Sequence, residues 1–182
     1  VYRNTTPPGV VSPTFSPGAE YPCVLNAFAT AVGDFSGDGL ADVAVGGGST
    51  ATGAAGAVTL YRSGPNGVLA DRVDIPTLRR VVGIALAELD GINGPDLVYM
   101  TGTALYVRMN DGAGGFGAQV QVGAPSNAGS LVVADIAGNA LPELIVGSGF
   151  ASVRYFINNG GGAFSAQQSF ALPSTTRGCV AG

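Results

Sequence analysis

The sequence predicts an all-β domain, and three observations carry that prediction. There are 30 glycines and 11 prolines in 182 residues, too many for a helical protein. Hydrophobic residues make up 46% and charged residues only 11%, so the chain has ample apolar surface to bury and is not disordered by composition. Finally, one four-strand unit recurs along the chain.

The unit begins with an apolar strand that ends in an acidic residue. A short polar, glycine-containing loop follows, closed by a second acidic residue eight positions on. Next come a β-branched apolar strand, a turn, a third strand with aromatics, an Asn/Gly-rich turn and a fourth strand ending near Pro. The first copy reads FATAVGDFSGDGLADVAVGGG, then AVTLYRSGPNGVLADRVDIP. The second reads VVGIALAELDGINGPDLVYMTG, then ALYVRMNDGAGGFGAQVQVGAP. The third reads GSLVVADIAGNALPELIVGSG, then SVRYFINNGGGAFSAQQSFALP. The acidic pairs are Asp34 and Asp42, Glu88 and Asp96, Asp135 and Glu143, so the copies start 54 and then 47 residues apart. Four strands in a period of roughly 40–50 residues is the size of a β-propeller blade.

The expected organisation is therefore a single repeat domain over 1–182. Residues 1–22 read as the second half of a blade, 23–76, 77–125 and 126–173 as blades, and 174–182 as the first strand of a next one. Val1-Tyr2-Arg3-Asn4 matches Val107-Arg108-Met109-Asn110 and Phe156-Ile157-Asn158, and Phe15 matches Phe116 and Phe164. Propellers close into rings of about 4–8 blades to hide their strand edges. Three whole blades with two partial flanks imply self-association or continuation of a larger propeller. Val1 opens directly into strand-like sequence, so the expectation is a mature protein or a piece of something longer.

Charge and residue usage exclude several function classes. Net charge is −4, all eight basic residues are Arg, and Arg79-Arg80 is the one basic pair. A nucleic-acid surface wants a basic stripe, and none exists. There is no His, which removes the Ser-His-Asp triad and the commonest general base. The acids sit mostly in the recurring loops and no nucleophile occupies a recognisable elbow, so no enzyme is expected. No apolar run reaches the ~18 residues of a membrane span. Two readings stand for Cys23 and Cys179: one disulfide that staples the termini, or two buried thiols.

The first loop is the candidate metal site. Asp34, Ser36, Asp38 and Asp42 place side-chain oxygens at loop positions 1, 3, 5 and 9, and Leu40 offers its carbonyl at position 7. Ca²⁺ takes 6–8 oxygen ligands, and alternating side chains converging in a tight turn supply them. The competing reading is an Asp/Gly turn whose acids merely cap backbone amides. The other loops are weaker metal candidates. Glu88, Asp90 and Asp96 remain in the second, but Ile92 sits at position 5. Asp135, Asn139 and Glu143 remain in the third, but Ala137 sits at position 3.

The segment VGDFSGDGLADVAVG resembles the FG-GAP/VCBS repeat of integrin-α-like propellers. The resemblance covers nearly the whole chain and is sharpest in the first copy. It implies blades of four antiparallel strands, structural Ca²⁺ between the first two strands, and an extracellular or cell-surface setting. It also implies adhesion, or capture of a protein or glycan ligand. Candidate lectin-type ligand groups are Tyr106, Arg108, Asn110 and Asp111 in the second copy and Tyr155, Asn158 and Asn159 in the third. The bland reading of these residues is pleat packing and ordinary turns. Competing roles for the chain are a scaffold segment of a larger secreted or surface assembly, and an accessory domain of a secreted enzyme.

Overall fold

The computed structural model describes residues 1–51, 53–149 and 152–171. Cys179 and the expected strand over 174–182 lie outside them. Among the described residues, twelve strands form three four-stranded antiparallel sheets. The first sheet holds β1 (Ala27–Gly33), β2 (Asp42–Gly48), β3 (Gly56–Ser63) and β4 (Leu69–Thr77), each hydrogen-bonded to the next. The second holds β5 (Val81–Ala87), β6 (Asp96–Thr101), β7 (Leu105–Arg108) and β8 (Val120–Gly123) in the same order. The third holds β9 (Ala128–Ala134), β10 (Glu143–Ser148), β11 (Ser152–Phe156) and β12 (Gln168–Ala171). No helix among the described residues is long and apolar enough to cross a membrane.

The sheets stack face to face. β5 packs on β1 and β2, and β9 packs on β5 and β6. Strand alternation sends successive side chains to opposite faces, so the middle sheet feeds two cores. Leu97 and Tyr99 join Phe35, Ala44, Val58, Leu60, Val81 and Ile84 between the first and second sheets. Val98 and Met100 join Leu89, Leu105, Val107, Leu144, Val146 and Phe156 between the second and third. Every residue of β6 is buried, as expected for a strand covered on both faces.

Close approach of the sheets depends on missing side chains. A Cβ on Gly46 would stand 2.5 Å from Cγ1 of Val81, and one on Gly123 would stand 2.4 Å from the ring of Phe156. Both partners are fully buried and have no room to move aside.

The N-terminal segment lies against the first sheet. Tyr21 and Tyr61 pack edge-to-face with centroids 5.7 Å apart, and the Tyr61 hydroxyl donates to the Pro22 carbonyl. Val24 N–H donates to Thr59 Oγ1 at 3.0 Å, and Thr59 in turn donates to Asp74 Oδ1 at 2.6 Å. Within this segment Asn4 forms an isolated bridge with Phe15. The same bridge joins Asn110 to Phe116 and Asn158 to Phe164, after β7 and β11 respectively.

Candidate metal loops and the joints beside them

Three acidic loops connect the first two strands of each sheet, and their backbones follow one path. Position 4 has positive φ in each: Gly37 at 76°, Gly91 at 87° and Gly138 at 71°. Position 6 does too: Gly39 at 84°, Asn93 at 67° and Ala140 at 65°. Glycine and asparagine adopt that region readily, whereas alanine does so at a cost.

The opening acid of each loop caps the turn. Asp34 accepts from the amides of Gly37 (2.7 Å), Asp38 (3.2 Å) and Gly39 (2.8 Å). Asp135 accepts from Gly138 (2.6 Å), Asn139 (3.2 Å) and Ala140 (2.8 Å). Those amides hold the Asp135 carboxyl below the usual aspartate range. Glu88 accepts from Gly91 (2.8 Å) and Ile92 (3.1 Å).

The closing acid is buried. Asp42, Asp96 and Glu143 are each 0% exposed, a burial that residue type and spacing do not reveal. Asp42 accepts from Ser36 N–H (2.9 Å) and Ser63 N–H (2.8 Å). Asp96 accepts from Leu89 N–H and Asn110 N–H, both at 2.8 Å. Glu143 accepts from Ile136 (2.9 Å) and Ala137 (3.1 Å) through Oε2 alone. Each closing acid thus ties its loop together from inside; Asp42 also reaches the end of β3 and Asp96 the turn after β7. Burial pushes Asp96 up to about 6, against the pull of its two amide donors, and the neighbouring Asp90 and Glu88 charges push the same way.

Whether these residues suit a cation is answered by their spare oxygens. Among the described residues, Glu88, Asp90 and Asp96 offer carboxylate oxygens that all lie within 4.8 Å of one another. Two oxygens bound to one Ca²⁺ at about 2.3–2.6 Å can be at most ~5 Å apart, so the three fit around a single ion. In the first loop Ser36 Oγ, at position 3, is buried without a hydrogen-bond partner. In the third loop Glu143 Oε1 is in the same condition. The donor sets therefore fit an oxygen-seeking cation. The first loop has the fullest pattern in sequence, yet its three aspartates form no such cluster among the described residues. Asp38 instead turns back to accept from Leu40 N–H at 2.8 Å. In the third loop Asn139 does the same for Leu141 N–H at 3.0 Å.

The residue at position 2 of each loop escaped sequence reading. Phe35 is 1% exposed and Leu89 0%, so the first two loops fold their second side chain into the core, whereas Ile136 of the third is exposed. Beside them lie two inter-sheet bonds. Asn110 Nδ2 donates to the Phe35 carbonyl at 2.9 Å and to the Pro95 carbonyl at 3.0 Å. Asn158 Nδ2 donates to the Leu89 carbonyl at 2.9 Å and to the Pro142 carbonyl at 3.2 Å. The alternation Asp-Phe-Ser-Gly-Asp was the available signal for Phe35. For the asparagines it was their recurrence just ahead of a Phe.

The candidate ligand groups do not converge on one surface. Asn110 and Asn158 are buried in the joints. Asp111 caps its own turn, accepting from Ala113 (2.8 Å) and Gly115 (2.9 Å), and those bonds hold its carboxyl below the ordinary value. Arg108 donates to the Gly117 carbonyl at 2.7 Å. Tyr106 stacks on Tyr99, and Tyr155 stacks on Phe170 in its own sheet. Asn159 donates its backbone N–H to the Ala163 carbonyl at 2.8 Å. Cys23 is half-buried and lines an apolar cleft of about 450 Å³ with Tyr21, Val43, Val45 and Tyr61.

No family model matches the chain, and no curated protein matches it.

Proposed function

We propose that the chain is a calcium-stabilised β-propeller module of the FG-GAP/VCBS kind that binds protein or glycan partners outside the cell and has no catalytic role. The observation that carries the calcium part is the convergence of Glu88, Asp90 and Asp96 within 4.8 Å. The one ion pair among the described residues, Arg72–Asp74, lies elsewhere, so no Arg neutralises the cluster. When bound, Ca²⁺ would supply charge neutralisation and cross-link both ends of the loop. Glu88, Asp90 and Asp96 would hold it in the second loop, and Asp34, Ser36, Asp38, Asp42 and the Leu40 carbonyl in the first. The propeller part is supported by three sheets of identical strand order stacked through their first strands. For a glycan partner, Asn110 and Asn158 give no support, because both are buried; the exposed turns around Asp111 and Asn159 remain the candidate surface.

The test is a thermal melt in calcium and in EDTA, with Asp38→Ala and Asp90→Ala alongside. A ligand that binds only the folded state raises the melting temperature by mass action. Calcium should raise it, and each variant should lose part of the gain. A melting temperature indifferent to EDTA would overturn the calcium reading. A glycan array and a pull-down on immobilised extracellular-matrix protein, both in calcium, then test the partner class.

A further inference from the structure

The two inter-sheet joints share one construction, which can be written as a plug and a socket. The plug is an asparagine and the Phe bridged to it. The socket is position 2 of the acidic loop in the preceding sheet. In the first joint Asn110 donates to the Phe35 carbonyl, and Phe116 packs on the Phe35 ring with centroids 5.4 Å apart. In the second, Asn158 donates to the Leu89 carbonyl, and Phe164 packs in the same cluster as Leu89. Each plug is set before it docks: Asn110 Oδ1 accepts from Gly112 N–H at 2.8 Å and Asn158 Oδ1 from Gly160 N–H at 2.9 Å. That leaves the Nδ2 hydrogens as the free donors.

Among the described residues, a third plug and a third socket are both open. Asn4 is bridged to Phe15, and its Oδ1 accepts from Thr6 N–H at 2.9 Å, the same setting. Among the described residues its Nδ2 donates to nothing, and Phe15 is 57% exposed. The corresponding socket is Ile136, at position 2 of the third loop. Ile136 is 56% exposed where Phe35 and Leu89 are covered, and among the described residues no asparagine reaches its carbonyl. Its loop is otherwise built like the other two, so the acceptor stands in the same orientation relative to its sheet.

We infer that the Asn4/Phe15 plug of one copy of this chain docks on the Ile136 socket of a second copy, with Asn4 Nδ2 donating to the Ile136 carbonyl and Phe15 covering the Ile136 side chain. The occupant is a second copy because the complementary half is present on the same chain, and because the interface continues one that the chain already makes twice. The contact is heterologous: the plug sits in the N-terminal segment and the socket in the loop between β9 and β10, so each bound copy offers a fresh plug and a fresh socket. The joint does not depend on calcium occupancy.

Both apolar residues are more than half exposed, so Phe15→Ser and Ile136→Ser leave the fold intact, which circular dichroism melts check. Sedimentation velocity of the wild-type chain over a concentration series should show a weight-average mass rising above the monomer's 18.0 kDa. Each variant alone should stay monomeric. An equimolar mixture of the two keeps one good plug and one good socket, so it should give a dimer and nothing larger. A wild-type chain that stays monomeric throughout, association that survives either substitution, or a mixture that fails to pair would each overturn the inference. Running the series in calcium and in EDTA separates its failure from that of the calcium reading.

Discussion

The side-chain amide of Asn110 donates to the main-chain carbonyl of Phe35, 75 positions earlier and in a different sheet, at 2.9 Å. One bond therefore links the turn after β7 to the loop after β1. Both groups are buried, so removing the amide strands the Phe35 carbonyl away from water and also takes a donor from the partly buried Pro95 carbonyl. A buried acceptor left without a donor costs about 1–3 kcal/mol. Asn110→Ala should lower the unfolding free energy by that order in urea melts. Asn110→Asp should cost more, since its carboxylate would face two carbonyl oxygens.

Gly123 sets the distance between the second and third sheets. Adding one methyl puts a carbon 2.4 Å from the Phe156 ring, which is itself fully buried. Overpacking of this kind costs about 1–3 kcal/mol. Gly123→Ala should destabilise by that amount, and Phe156→Leu placed on top should recover part of the loss. A double variant no better than the sum of the two singles would argue against the clash.

Ala140 makes the opposite prediction. It holds φ of 65° at the loop position where the first loop has Gly39 and the second has Asn93. A left-handed alanine carries a penalty of roughly 1–2 kcal/mol, and glycine's greater freedom in the unfolded chain offsets part of it. Ala140→Gly should therefore stabilise the protein by up to about 1 kcal/mol, read as a shift in urea midpoint with unchanged slope.

The Arg72–Asp74 pair governs a pH effect. The Arg72 guanidinium hydrogen-bonds Asp74 at 2.7 Å, and this, followed by the Thr59 hydroxyl, holds the Asp74 carboxyl below its ordinary value of 3.8. A carboxyl lowered by folding stabilises the native state above its unfolded value, and that contribution disappears as pH falls through the lower, folded value. Asp74→Asn should thus cost stability at pH 7 and nearly nothing once the pH has fallen well below 3.8. Both side chains are exposed, so solvent screening keeps the difference under about 1 kcal/mol and added salt shrinks it.

Much of the fold was legible because strand alternation and turn chemistry are local. Asp42-Val-Ala-Val and Asp96-Leu-Val-Tyr announce their strands, and the glycine at loop position 4 of each copy announces the turn. The joints were not legible for the opposite reason. Asn110-Asp111-Gly112 and Asn158-Asn159-Gly160 read locally as turn formers. Only the stacking of separate sheets turns their amides toward carbonyls 75 and 69 positions away. For the closing acids, residue type and spacing leave metal ligation and amide capping both open, because neither carries burial. The amides of Ser63, which ends β3, and Asn110, just past β7, meet Asp42 and Asp96 only once the sheets are built.

β6 of the middle sheet is buried throughout and its sheet packs against both others, whereas among the described residues each outer sheet packs against one other sheet. Opening of such a stack proceeds from its ends, and the interior yields last. The amide hydrogens of Leu97 to Met100 should be the last to exchange with deuterated solvent, long after those of Gln168–Ala171. The molecule's slowest clock is thus set by a strand that carries no candidate ligand beyond its first residue, and anything gripping the outer sheets would be felt there as time rather than as shape.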